Sequence, residues 1–205
     1  MSFIGYLRPL VQGRATNEPP LRRPVATLAA GFTASALIVT AIVHGLGAVL
    51  VGGLRLSLGV RIAIACVFLL GFALLDSGKL PIGTPMWRRQ TPQRLFYMFG
   101  ATKGALLWGI DTGLMFTTFR VTSLTWVTLA LAFLGLLPWW AGIAYAAGFV
   151  VPAAILILLV PARTDSAPGM EVHWVMGRVS DFGEWVVRLA PFLFAGVAAG
   201  LAAIA

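Results

Sequence analysis

Between Val25 and Gly53 the chain runs for 29 residues without an Asp, Glu, Lys or Arg. About 20 largely apolar residues are enough to cross the hydrocarbon core of a bilayer as a helix. Five more apolar stretches follow. They leave only 11% charged residues in the whole chain, where soluble domains carry about 25%. With 59% hydrophobic residues and a mean hydropathy of +0.91, the chain is expected to be an all-α, polytopic integral membrane protein.

Six spans are expected, near 25–53, 60–75, 95–119, 123–137, 139–159 and 184–205. They form one transmembrane domain over 25–205, after a cytoplasmic arm over 1–24. Arg22-Arg23 precedes an apolar run too long for a secretory signal, so an uncleaved first helix is expected. That helix is long for one crossing and should tilt, or bend near Gly45 and Gly47. Pro152 should kink the fifth span. A polar linker, "DSGKLPIGTPMWRRQTPQR" from Asp76 to Arg94, separates the second span from the third. Before the sixth, Val172, Val175, Met176 and Val179 share a helical face. Residues 170–182 therefore read as an amphipathic segment lying in the membrane interface, or as a gate over a cavity.

The net charge of +8 does not point to nucleic acid. The bases flank apolar segments, and no nucleic-acid recognition motif is present. With alternating crossings and the N-terminus inside, Arg8, Arg14, Arg22, Arg23, Lys79, Arg88, Arg89 and Arg94 fall inside. Arg55, Arg61, Arg120, Arg163, Arg178 and Arg188 fall outside. The densest clusters are inside, so both termini are expected to be cytoplasmic in the cell membrane. The single cysteine, Cys66, can form no internal disulfide and reads as a small helix residue.

Polar residues inside spans are costly and usually face the protein interior or a wet cavity. The third span holds two, Lys103 and Asp111. On a regular helix Gly100, Gly104, Leu107, Asp111 and Thr118 share a stripe, and Gly109 and Gly113 pair on the opposite face. Both glycine pairs are expected to pack helices closely. Lys103 can snorkel to the inner interface. On the first span Thr33, Thr40 and His44 share a stripe. His44 and Asp111 are therefore expected to face one another or one cavity, binding a proton or a cation, or else forming a structural hydrogen bond. Arg120, with Thr117, Thr118, Thr122, Ser123 and Thr125 nearby, forms either an outer vestibule or an interfacial helix end.

No HExxH, GxSxG or Asp-rich metal motif occurs. "DTG" at Asp111 to Gly113 matches the aspartic-protease triplet, but that chemistry needs two carboxylates sharing a proton. No His, Cys or Asp set has metal-ligand spacing. Enzymatic activity, a metal and a cofactor are not expected.

The glycine-rich first span "AAGFTASALIVTAIVHGLGAVL" resembles the opening helix of the DsbD/CcdA-like transmembrane proteins. After the linker with "RRQTPQR", the third span "GALLWGIDTGLMFTTF" resembles the corresponding helix of their second half. The resemblance, over about 25–160, implies two inverted three-helix halves with polar residues where glycine-rich helices meet. It does not carry dithiol chemistry, because neither span contains a cysteine, and only two spans precede the linker where three would be expected. Inverted repeats place transporter sites at such meetings. The expected function is a small-solute or ion transporter using Asp111, His44, Thr40, Thr33 and Thr118. The alternative is a non-catalytic subunit or assembly factor whose glycine faces bind other membrane subunits or a second copy.

Overall fold

The computed structural model describes residues 22–79, 94–115, 122–159 and 168–204. Within them the chain forms six helices and no strand: α1 (Arg23–Gly53), α2 (Leu58–Asp76), α3 (Arg94–Gly113), α4 (Leu124–Phe133), α5 (Ala141–Leu158) and α6 (Pro168–Ala203). The arm before residue 22 and most of the linker lie outside the described residues.

Local chemistry sets the ends. Pro24 sits in the first turn of α1, where its missing N–H leaves no bond unmade. α1 closes at Gly52-Gly53, and Arg55 turns the chain with φ 51°. Ser57 then caps α2, its side chain accepting the Val60 N–H at 3.4 Å. α4 stops after ten residues at a Schellman turn. Gly135 takes φ 68°, the Leu136 N–H donates to the Leu131 carbonyl and the Gly135 N–H to that of Ala132.

Four segments are long and apolar enough to cross a membrane: Arg23–Gly53, Leu58–Asp76, Ala141–Leu158 and Gly183–Ala203, with α4 as a shorter apolar helix. Only 17% of the apolar window of α2 is buried, and Val67, Phe68, Leu70 and Leu74 are exposed. A water-soluble fold would cover that face; here lipid covers it. The chain is a multi-pass α-helical membrane protein.

The helices divide into two compact units. The first takes the described residues of Met1–Ala36, Gln90–Leu114 and Ile143–Phe182; the second takes those of Leu37–Arg89, Met115–Gly142 and Gly183–Ala205.

In the first unit α3 runs parallel to the start of α1. The Thr27 hydroxyl donates to the Thr102 carbonyl at 3.0 Å, while Gly109 and Gly113 lie against Leu28, Phe32 and Ser35. α5 runs antiparallel to the same stretch. Ala146 packs with Ala36 and Phe32, the Phe149 ring stacks on Phe32 with centroids 4.5 Å apart, and Ile157 packs with Val25 and Leu28.

In the second unit Ala65, Leu69 and Ala73 of α2 form a core with Val127 and Leu131 of α4 and with Ala190, Phe194 and Ala198 of α6. The Cys66 thiol donates to the Ala198 carbonyl at 3.5 Å, so this lone cysteine is a packing contact. α4 is antiparallel to α2: Asp76 bonds Ser123 at one end, and Arg61 lies beside Gly135 at the other.

These directions correct the scheme of six alternating crossings. That scheme makes the second and fourth spans parallel, and likewise the first and fifth; both pairs are antiparallel. The third span is interrupted within the described residues. Gly100 takes φ 73°, ψ 172°, a region open essentially to glycine alone. Beyond this break α3 has 13 regular residues, about 20 Å, against a hydrocarbon core of about 30 Å. The chain leaves α2 at Asp76 and re-enters at Ser123 in contact with it, so 77–122 begins and ends at one place. Assigning both termini to one face rested on alternating crossings and loses that support.

α1 passes through Gly45 and Gly47 as one helix. Residues 170–182 are helical and run on in α6 into the apolar stretch Gly183–Ala203.

Candidate functional site

α3 positions the first candidate residue. Its α1-facing side is built from small residues. A Cβ at Gly109 would come within 3.0 Å of the Phe32 nitrogen, and one at Gly113 within 2.9 Å of the Phe32 Cα. From the other side, a Cβ at Gly31 would come within 2.5 Å of the Leu106 carbonyl oxygen. Backbone therefore meets backbone, which only glycine permits. Asp111 is about 200° round the helix from Gly109 and about 160° from Gly113. It is half-buried and turned away from the stretch of α1 that α3 packs on. This corrects the expectation that the Asp111 stripe is the side meeting the first span. Gly100 is exposed, is out of helical register and meets no helix among the described residues; Gly104 is buried.

On α1, Ser35, which touches Gly113, is twelve residues, about 18 Å, beyond exposed Arg23. On α3, Asp111 is eight residues, about 12 Å, beyond exposed Lys103. It also sits on the last turn of α3, which carries no basic residue. Helix C-termini are negative, so the charge lies where the helix itself disfavours it.

The second unit holds the other candidates. Thr40 is fully buried, and its hydroxyl lies 3.0 Å from the Leu37 carbonyl and 3.4 Å from that of Trp139. Gly47 abuts the Phe133 carbonyl, whose carbon would be 2.6 Å from an added Cβ. His44 lies between them on one helical stripe. Its buried Nδ1 has no hydrogen-bond partner among the described residues. Such an atom forgoes roughly 1–3 kcal/mol relative to a bonded one. Thr33 is half-buried, in the first unit. His44 and Asp111 belong to different units. Thr118 and Arg120 lie outside the described residues.

The clearest polar cluster joins Thr122, Ser123 and Thr125, expected as a vestibule or helix end, to Asp76, which was not among the sequence candidates. Asp76 is 8% exposed at the end of α2. Its Oδ2 accepts the Ser123 N–H at 2.8 Å, and its Oδ1 accepts the Ser123 hydroxyl at 2.6 Å. Thr122, Ser123 and Thr125 are buried around it. Ser123 makes no side-chain cap of its own, so a carboxylate from α2 supplies the anionic cap that the start of α4 favours. The sequence signals were an acid closing one apolar run and hydroxyls opening another.

Among the described residues, no group of three or more His, Cys, Asp or Glu could hold a metal ion. Compared with known family models, curated proteins and solved structures, the chain matches none of them. Its class therefore rests on its own helices, as a multi-pass membrane protein.

Proposed function

We propose that the protein is a transporter of a small solute or ion, with Asp111 in its polar site. One observation carries this: a half-buried carboxylate on a glycine-broken helix of a multi-pass membrane chain. Charged groups within membrane proteins' apolar segments usually serve an ion or substrate path. Interrupted helices are tolerated where they are buried in protein or line a wet cavity. In the other unit His44, whose Nδ1 has no hydrogen-bond partner among the described residues, and buried Thr40 form a separate polar stripe.

The test is reconstitution in liposomes, with a panel of small solutes offered under imposed sodium and proton gradients. Gradient-dependent uptake that Asp111→Asn abolishes supports the proposal. Absence of uptake across the panel counts against it. His44→Leu separates function from packing: removing an unpaired buried nitrogen should leave thermal stability within about 1 kcal/mol of the parent or improve it, while uptake falls.

A specific observation favours a second reading, that of a subunit in a larger membrane assembly. Gly196 and Gly200, with Ala195 and Ala199, are exposed on α6, and a Cβ at either glycine would meet nothing within 4 Å. Small residues at this spacing let a further helix approach closely. If that face is an interface, Gly196→Leu with Gly200→Leu will strip any partner, or a second copy, that survives mild detergent purification. The fold itself will stay intact. A single monomeric species for parent and variant alike excludes this reading.

A further inference from the structure

We infer that the uncovered face of α2 holds one molecule of an anionic membrane phospholipid, with an acyl chain in a groove at Gly71 and the headgroup beside Lys79. The site involves neither Asp111 nor the transporter reading.

Helical geometry separates the groove from the core. α2 buries Ile62, Ala65, Leu69, Ala73 and Asp76 on one side. Val67, Phe68, Gly71, Phe72 and Leu75 line an open groove of about 360 Å³. At about 100° per residue these positions centre roughly 130° round the helix from the buried side. Val67 is 72% and Phe68 48% exposed, so no described helix covers them.

The groove exists because Gly71 has no side chain. Phe68 and Phe72 stack along one edge, with ring centroids 6.2 Å apart. Val67 and Leu75 stand about one turn before and after the glycine. A Cβ at Gly71 would meet nothing within 4 Å.

Shape selects the occupant. A closely packed helix needs small residues at successive turns of its partner. Here the positions four before and four after Gly71 are Val67 and Leu75. A helix would ride on that bulky rim, whereas a flexible hydrocarbon chain can follow a notch one residue wide. The groove runs about 12 Å from Val67 to Leu75, close to half of a hydrocarbon core of about 30 Å. That is the depth of one leaflet's acyl chains.

Charge selects the headgroup. Gly78 turns the chain with φ 69° at the end of α2, and the Lys79 N–H donates to the Ser77 hydroxyl at 3.4 Å. Lys79 is exposed, four residues beyond Leu75, and makes no ion pair among the described residues. Asp76, the nearest acid in sequence, is buried, and its oxygens accept the Ser123 N–H and hydroxyl. Between 77 and 94 the sequence adds Arg88, Arg89 and Arg94 and no acid. A second copy seated here in the same orientation would bring like charges together, while a lipid phosphate meets opposite charge.

The experiment uses the full chain, delipidated in mild detergent and titrated with phosphatidylglycerol or phosphatidylcholine of identical acyl chains. Native mass spectrometry reads the bound lipid. The parent is expected to bind one phosphatidylglycerol saturably, about fivefold more tightly than phosphatidylcholine. Lys79→Gln should erase that preference. Gly71→Leu fills the notch on a face that touches no described helix, so the fold should persist. Both lipids should then bind at least about tenfold more weakly, the equivalent of about two methylenes left unburied.

Equal affinity of the parent for the two headgroups overturns the site. So does a preference that survives Lys79→Gln, or binding that Gly71→Leu leaves unchanged. A dimer of the parent that Gly71→Leu disperses puts a second copy in the groove and overturns it as well. If Gly71→Leu does not fold, Gly71→Ala decides: weaker binding of both lipids supports the site, and unchanged binding overturns it.

Discussion

Replacing Asp76 by alanine is expected to destabilise the protein by about 2–4 kcal/mol, among the largest effects of any polar substitution. The carboxylate accepts both the N–H and the hydroxyl of a fully buried Ser123. Hydrogen bonds to a charged partner contribute roughly 1.5–3 kcal/mol each, and a buried donor left unpaired adds its own desolvation cost. Loss of an N-cap alone costs about 0.5–2 kcal/mol. Asp76→Asn keeps an acceptor and should cost less, about 1 kcal/mol. Unfolding by a denaturing detergent, read by far-UV circular dichroism, measures both. A double-mutant cycle with Ser123→Ala isolates the pair, whose coupling should exceed about 1 kcal/mol. If Asp76→Ala and Ser123→Ala add without coupling, the carboxylate does not act through Ser123.

The second large effect is expected at Gly47. A single methyl group there would be 2.6 Å from the Phe133 carbonyl carbon and 2.7 Å from its Cα. Backbone cannot rotate aside as a side chain can, so α1 and the end of α4 must separate. Overpacking of this kind costs about 1–3 kcal/mol or more. Gly45 is two residues away on the same helix and exposed, and a methyl there meets nothing within 4 Å. Gly45→Ala should be neutral, or stabilise by up to about 1 kcal/mol through helix propensity. The contrast between two neighbouring glycines is the test. Equal effects would mean that the α1–α4 contact is not made in the bilayer.

Gly47 also shows what could be read in advance. Long uncharged runs betray helices, because only their length and composition matter for crossing a bilayer; α1, α2 and α5 follow directly. Helix direction is different, since it depends on where neighbours end. The regular part of α3 is short because Gly100 and Met115, on either side of it, adopt positive φ. Glycines at 100, 104, 109 and 113 look equivalent by spacing. Only the partner helix, with its own Gly31 in register, selects Gly109 and Gly113. Asp76 was hidden for a related reason. Followed by Ser77 and Gly78, it reads as the start of a polar linker, and nothing local announces Ser123, 47 residues later. Thr40 and His44 shared a visible stripe, but its neighbours, Trp139 and Phe133, could not be assigned from periodicity.

The bond between Asp76 and Ser123 also has a schedule. Ribosomes add roughly 5–20 residues per second, so Ser123 is made about 2–9 seconds after Asp76. During that interval α2 is a finished apolar helix with a carboxylate at its trailing end and no hydroxyl to receive. Water at the bilayer surface is then the available ligand. Docking of α4 is thus the step that brings both Ser123 donors to the carboxylate.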